Sequence, residues 1–512
     1  MKKYLVIALA CLLLPALAGA ATLKVGASSG VNSLDPHFHN ETPTNSVNAN
    51  IFDGLVNFDK DLNPYPALAT SWEIVDDVTW TFTLRKDVQF HNGNAFTADD
   101  VVWSFNRAKT SDKSGFKGSI SAIKAVEKVD EHTVKIITNG PFPILLRKLT
   151  YLRIMDKESS EKLTDEKLGL NPVGTGPYQL VKWTRGQSIV LKANPDYFLG
   201  SPNINKVEIR PLTNDSTRVA AILSNAVHLI NRVPVGDVQR IKSKDQLQFF
   251  MVPGLRLIYL QMDQMRDNSP YIQGVDSNPF LDVRVRKALY YGINEEAIVK
   301  HIMGGFAVPA GQYYPKAVNG HDPSVTRPGY NPEKAKALLA EAGYPDGFTV
   351  TLDSPNDRYI NDEKIAQAVA SSLAKIGITV KVNAIPKASF FPKANDANSS
   401  FNLIGWACSD GDGSAFLDGC VHSYDQDKGY GRYNGGRYAN QAVDAVIEKS
   451  ATVLDAEKRK KLLIEAMHLA LLEDQNIIPL HYQVDLYAVN SKVDMEPRAD
   501  NYLYFYDMKV KE

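Results

Sequence analysis

Hydrophobic and polar positions along this chain keep one of two periods, and the period switches often. Thr79-Trp80-Thr81-Phe82-Thr83-Leu84 alternates residue by residue, which predicts a half-buried strand. Tyr178 to Trp183 and Ser188 to Leu191 alternate in the same way. Leu23 to Ala27 reads as a further strand, ended by Ser28-Ser29-Gly30. Helical spacing appears at 46–58, with Val47, Ile51, Leu55 and Phe58 on one face. It appears again at Asp282 to Ile293, with Val283, Val285, Ala288 and Leu289. Thr97 is placed to cap a helix from Ala98 to Arg107, with Asp99 and Asp100 in its first turn. Asn331 and Pro332 open another helix, and Gly343 closes it.

The clearest unit lies between 348 and 385. Phe348 to Leu352 reads as a strand. Asp362 to Lys375 follows as an amphipathic helix with Ile365, Val369, Leu373 and Ile376 inward, stopped by Gly377. Ile378 to Ile385 is a second strand. A strand–helix–strand succession of this length predicts a parallel pair with a crossover helix, so the fold class is α/β. A long helix from Ala456 to Leu472 and an extended run from Ile477 to Val489 complete the pattern. No internal repeat or low-complexity tract interrupts it.

The N-terminus departs from both periods. Lys2 and Lys3 precede an apolar run from Tyr4 to Leu17, and Ala18-Gly19-Ala20 follows. This is the layout of a secretory signal peptide, residues 1–20, cleaved after Ala20. The run is too short to span a bilayer, which needs roughly 20 apolar residues. Removing 20 of the 512 residues leaves 492, more than one core holds, so two or three lobes are expected. Loss of the two lysines changes the formal charge from −1 to −3, which offers nothing for nucleic acid to bind. Of the three cysteines, Cys408 and Cys420 survive cleavage. In an oxidising compartment a disulfide between them is expected.

Several short motifs carry candidate chemistry. Gly26-Ala27-Ser28-Ser29-Gly30 matches the nucleophile elbow of serine hydrolases, but the residues after it are not helical as that elbow requires. A Ser- and Gly-rich turn that offers Ser28 to a ligand fits better. Asp35-Pro36-His37-Phe38-His39 gathers potential metal ligands without a defined geometry, and no metal or other cofactor is expected. Phe401 to Trp406 is an apolar strand that runs into the acidic, Gly-rich loop 407–414. In open α/β sheets ligands bind beyond the carboxyl ends of strands. Trp406 would there supply an apolar wall, and the loop carboxylates, Asp410 among them, would suit an ammonium group. A solvated turn or a calcium loop is the plainer alternative. Ser354 to Tyr359 sits at a second such edge, where Arg358 could hold a carboxylate or simply pair with Asp357 or Asp362.

Six motifs, in order, resemble those of family 5 extracellular solute-binding proteins, the dipeptide, oligopeptide and nickel receptors of ABC importers. They are Ser33-Leu34-Asp35-Pro36 with Phe52-Asp53-Gly54-Leu55; Pro66-Ala67-Leu68-Ala69-Thr70-Ser71-Trp72; Trp80-Thr81-Phe82-Thr83-Leu84-Arg85 with Val88-Gln89-Phe90-His91-Asn92-Gly93; Thr97-Ala98-Asp99-Asp100-Val101; Gly174-Thr175-Gly176-Pro177-Tyr178; and Asp282 to Leu289. The likeness covers essentially the whole mature chain.

The resemblance implies a two-lobed periplasmic binding protein with an extra domain in the first lobe. Its boundaries are expected at 22–57, 175–270 and 485–512 for the first lobe, 58–174 for the extra domain and 271–484 for the second lobe. It implies a monomeric periplasmic receptor without enzymatic activity that delivers a small polar solute, a short peptide first of all, to inner-membrane permease subunits. A metal chelate held by His37, His39 or His422, or an opine, is the alternative, and a hydrolase using Ser28 a remote one. Peptide receptors of this family hold the amino group with an Asp after a Gly-Trp like Gly405-Trp406. Here Ser409 stands at that position, with Asp410 next to it. The carboxylate-holding Arg before a Tyr is matched by Arg358-Tyr359.

Overall fold

Two long strands, Leu247–Met262 and Ile477–Asn490, tie the molecule together. The structure, a computed structural model, describes residues 22–511, and the predicted leader and its cleavage point lie outside the described residues. The two strands pair antiparallel along nearly their full length, from Leu247 opposite Asn490 to Gln261 opposite Ile477. Leu257-Ile258-Tyr259-Leu260 and Ile477-Ile478-Pro479-Leu480 are unbroken apolar runs, as strands covered on both faces require.

The pair sits in the middle of one twelve-stranded sheet. On one side the order continues through Phe401–Ala407, Thr349–Pro355 and Ile272–Gln273. On the other it passes through Leu229–Asn231, Thr22–Ala27, Lys206–Pro211, Ser188–Ala193 and Tyr178–Thr184. Each half has its own core. Ile258, Leu260 and Leu480 pack with Val285, Leu289, Ile365, Val369 and Leu373 of the helices Val283–Gly292 and Asp362–Ala374. Leu23, Val25, Leu191 and Val207 pack instead with Tyr487 and Val489. The result is two α/β lobes that share two strands.

The parallel unit forms as its periodicity predicts. Thr349–Pro355 and Thr379–Ile385 run in register from Thr349 opposite Thr379 to Pro355 opposite Ile385. Thr79–Leu84 buries Trp80, Phe82 and Leu84 and belongs to a separate four-stranded antiparallel sheet with Ala69–Asp76, Thr133–Thr138 and Ile123–Asp130. The helix Ala98–Thr110 covers that sheet. The Thr97 N–H donates to the Asp100 carboxylate at 2.8 Å, and Val101 and Phe105 enter a core with Phe82, Phe90 and Phe96.

Two expectations are corrected. The helix predicted over 46–58 ends at Ile51, and Val56–Phe58 is a strand paired with Pro64–Pro66. The Ile51 carbonyl, which a continuing helix would bond to Leu55, accepts the Gly176 N–H at 2.9 Å instead. The buried Asp53 carboxylate then holds the turn, accepting from Asn57, Thr175 and Tyr197. The second correction concerns Cys408 and Cys420, which are free thiols buried in one core. Both sulfurs sit among the apolar side chains of that core, and burial pushes both thiols well above their usual range. Among the described residues no helix is long and apolar enough to cross a membrane.

Candidate functional site

Where the two long strands pass from lobe to lobe, their pairing slips. Pro253 lies opposite Val484, and the next registered pair is Leu257 with Tyr482. Pro253 has no N–H to give the ladder, so the slip begins where a donor is missing. Gly254 follows, and a Cβ there would come within 3.1 Å of both an Asp485 carboxylate oxygen and the Gln483 carbonyl. Gly254, Leu255 and Arg256 of one strand, with Gln483 and Asp485 of the other, line a cavity of about 330 Å³ between the lobes. The first lobe adds Ser28, Asn231 and Arg232, and the second adds Ala407 and Ser409. A second compartment of about 340 Å³ shares Leu255, Ala407, Ser409 and Asp500 with the first and extends towards Tyr151, Arg153 and Tyr502. Together they form one cleft in two parts, in the size range of small-ligand sites.

The charges in the first compartment are unevenly matched. Asp500 is neutralised by Arg498, whose guanidinium reaches both carboxylate oxygens at 3.0 and 2.7 Å. Asp485 accepts from the Asn501 amide at 2.9 Å. Burial pushes the Asp485 carboxyl up to about 6, against the pull of Arg232 and Arg256. Among the described residues no carboxylate lies within 4.0 Å of the guanidinium of Arg232, Arg256 or Arg358. Burial, and then the neighbouring Arg358, holds the Arg256 guanidinium below its usual value. Both side chains lie against the Tyr359 ring, at 5.8 Å for Arg256 and 5.2 Å for Arg358.

A polar clasp closes the second compartment. The helix Leu145–Leu149 and the residues just after it meet the loop 409–412. Lys148 pairs with the Asp410 carboxylate at 2.6 Å, Arg147 donates to the Asp410 carbonyl at 3.0 Å, and the Tyr151 hydroxyl donates to the Ser409 carbonyl at 2.6 Å. Gly411 has a φ of 66°, and a Cβ there would strike Arg147 at 2.7 Å, so side-chain-free backbone is needed twice over. Behind the loop, Asp412 is fully buried. Burial alone would raise its carboxyl, yet the Arg459 fork, at 2.7 Å to each oxygen, holds it far below the usual range.

The structure distributes the six sequence-derived residues unequally. Ser28 lines the first compartment, and its N–H donates to Asn231 at 2.9 Å. Ser409 lines both compartments, and Asp410 lines the second while engaged by Lys148. Trp406 lies outside the lining, packed on Tyr433 with ring centroids 4.7 Å apart, and its indole N–H is buried without a partner. Tyr359 is buried and donates to the Gly405 carbonyl at 3.1 Å, tying the 354–359 loop to the 401–407 strand. Arg358 is exposed and reaches the cleft only by way of Arg256.

The histidines are not gathered. His37 is buried, with its ring Nε2 2.8 Å from the Arg153 carbonyl, and burial lowers its pKa to about 4. His422 sits beside Asp444 and Glu448. Among the described residues no group of three or more His, Cys, Asp or Glu could hold a metal ion. After Ser28 the chain stays irregular until the helix Thr42–Ile51, so the serine has no nucleophile elbow.

Comparison with known proteins gives the architecture its place. The family model for bacterial extracellular solute-binding proteins, family 5, matches residues 63–428. The chain belongs to this family. It is 29% identical over 476 residues to the glutathione-binding protein GsiB of Salmonella choleraesuis, covering 91% of this chain and 90% of that protein. It is 30% identical over 441 residues to the dipeptide-binding protein of Escherichia coli, covering 80% and 79%. The solved structure of HbpA2 from Haemophilus parasuis superimposes with a TM-score of 0.86 at 26% identity, over 96% of this chain and all of the other. The two lobes, the cleft and this membership make the protein a solute-binding component of an ABC importer.

As a family 5 receptor the chain has cleft residues that sequence reasoning passed over: Arg232, Arg256, Asp485, Lys148 and Arg153. Arg256 did carry a signal, as the one charge inside Leu255-Arg256-Leu257-Ile258-Tyr259-Leu260. Asp485 is likewise the lone carboxylate of a mostly apolar extended run that also holds His481 and Gln483. Lys148 and Arg153 come from a different unit of the fold, and nothing local marks them.

Proposed function

We propose that the solute is a short peptide, captured in the periplasm by a monomer and passed to permease subunits in the inner membrane. The observation that carries this reading is the two-part cleft, which has room for a backbone with side groups on either side of the shared strands. The names of the relatives, glutathione-binding and dipeptide-binding, support the same chemistry. In this reading Ser28, Ser409 and Asp410 face the ligand directly, and Arg358, Tyr359 and Trp406 support the wall behind them. Closure around the ligand stabilises the bound form by mass action, by about 2.7 kcal/mol at a hundredfold excess over Kd.

Native mass spectrometry of the exported protein, followed by thermal-shift titration with di- and tripeptides, tests the reading. One bound peptide per chain, and a peptide-dependent rise in Tm, are expected. Stabilisation by a nickel–histidine complex or by an opine, with none by any peptide, would overturn it.

A further inference from the structure

We infer that Arg218, a buried guanidinium behind the first-lobe wall, is a positioning residue of the solute site: it fixes Asn231, whose side-chain amide then presents N–H donors to a carbonyl or carboxylate oxygen of the solute. The inference rests on reading the first compartment as part of that site, and it adds the residue that sets the wall.

The wall is made of strand ends. Thr22–Ala27 runs parallel to Lys206–Pro211 on one side and to Leu229–Asn231 on the other, so Ala27, Pro211 and Asn231 end together at one edge of the sheet. Such carboxyl edges are where open α/β sheets hold ligands. All three residues line the first compartment, as do Ser28 and Arg232.

Arg218 lies on the helix Asp215–Leu223 and is 1% exposed. Its Nε donates to the Asn231 carbonyl at 3.1 Å and its Nη2 to the Arg232 carbonyl at 2.8 Å. Its Nη1 donates to the Leu212 and Thr213 carbonyls at 2.8 and 3.4 Å. One planar fork thus ties the turn after Lys206–Pro211 to the turn after Leu229–Asn231. Its sole carboxylate partner among the described residues, Asp215 at 2.6 Å, has 66% of its side chain exposed, so the charge is solvated mainly by the four carbonyls. A buried cation is costly where an apolar side chain would do. Carbonyls on two separate turns are a reason to keep an arginine there, since a lysine ammonium lacks the fork that reaches both.

The effect reaches the solute site by two routes. Arg232 has a φ of 51°, left-handed backbone that a residue with a Cβ holds only under constraint, and its carbonyl is one that Arg218 grips. The Ser28 N–H donates to the Asn231 side-chain oxygen at 2.9 Å. That bond assigns the oxygen to Ser28 and leaves the Asn231 amide nitrogen without a protein partner among the described residues. The amide offers two donors and no charge, which suits the carbonyl of a peptide bond as well as a carboxylate.

Hydrogen exchange of the Ser28 amide, read by NMR on serine-labelled mature protein, tests the positioning, and calorimetry with dialanine tests its consequence for binding. Arg218→Met and Arg218→Lys are each expected to speed exchange at Ser28 by about tenfold or more, with Ser372 in the second-lobe helix Asp362–Ala374 unchanged. Dialanine is expected to bind about tenfold or more weakly to both variants and to Asn231→Ala, with no further loss in Arg218→Met/Asn231→Ala. If Arg218→Met does not fold, Arg218→Lys carries the measurement.

An unchanged Ser28 rate in the Arg218 variants, an equal rise at Ser372, or wild-type behaviour of Arg218→Lys in both readouts would overturn the inference. So would losses of dialanine affinity that multiply in the double variant, since Arg218 would then act without Asn231. If wild type binds no dialanine, the peptide reading fails, and the Ser28 rate alone decides for or against Arg218 as the positioning residue.

Discussion

Lys148 and Asp410 meet at 2.6 Å, and they belong to different units of the fold. Lys148 lies on the short helix Leu145–Leu149, which packs on the core of the four-stranded sheet. Asp410 follows the strand Phe401–Ala407 of the second lobe. Both side chains are largely shielded, with 21% and 7% of their surfaces exposed. Removal of one member from such a shielded pair leaves the other charge desolvated, at a cost of about 3–5 kcal/mol if nothing moves. Separation of the lobes would return the orphaned charge to water. Lys148→Ala is therefore expected to open the ligand-free protein, seen as a larger radius of gyration in small-angle scattering. Lys148→Ala/Asp410→Ala should recover part of the closed population. Unchanged scattering in the single variant would show that the clasp does not hold the lobes.

The Asp412–Arg459 fork is a different kind of pair, interior and complete. Arg459→Ala leaves a buried carboxylate without its partner and is expected to lower unfolding stability by about 3–5 kcal/mol at pH 7. The folded carboxyl lies far below its unfolded value, so the stability it contributes is present above pH 4 and is lost as pH falls. The deficit of the variant should therefore shrink in urea unfolding at acid pH, where Asp412 is protonated in the variant.

Asp485 has the opposite sign. Its folded carboxyl is pushed up to about 6, from an unfolded value near 4, so the protonated form is the favoured one in the folded state. Stability is fully present below the unfolded value, falls as pH rises from about 4 to about 6, and is level beyond. The penalty is on the order of 2 kcal/mol. Asp485→Asn should be the more stable protein at pH 8 and lose its advantage at pH 4. The groups facing Asp485 are Arg232, Arg256, Asp500 and the Asn501 amide. An acidic ligand should consequently bind more weakly as pH rises through 6 in wild type, with a flatter profile in Asp485→Asn.

The two cysteines allow a direct check on the core. Burial pushes both thiols well up, so neither is a ready nucleophile. A thiol reagent should label none in the native protein and two after denaturation, with or without prior reduction. Labelling of two only after reduction would mean that the disulfide forms.

Legibility in the sequence followed the range of the interactions. Thr79–Leu84 and the unit from Thr349 to Ile385 were legible because a few local residues fix their periods. Of the shared strands, Ile477 to Val489 was legible as an extended run and Leu247–Met262 was passed over, and their partnership was not legible, since Leu247 and Asn490 are joined only by the fold. The break at Ile51 escaped because its cause, the Gly176 N–H, lies far along the chain. Ser28 was expected at the cleft from turn chemistry at a strand end and Ser409 from the family resemblance, and both line the first compartment. Arg256 and Asp485 were missed because a single charge in an apolar strand looks like an edge residue until the slip beside it is seen.

The slip at Pro253 to Arg256 also has a mechanical meaning. On either side of it the two strands are laced together by backbone hydrogen bonds, which resist bending. At the slip each strand is held by an outer neighbour instead, Arg256 by Ala407 and Gln483 by Ala307, so a rotation of the lobes would turn about this line. Distance from that line multiplies any rotation. An angle too small to disturb the packing at Arg256 becomes a wide displacement at the rim, where Lys148 faces Asp410. The geometry is that of a lever with its load at the fulcrum: a contact made at the pivot would be reported as a change of outline at the rim.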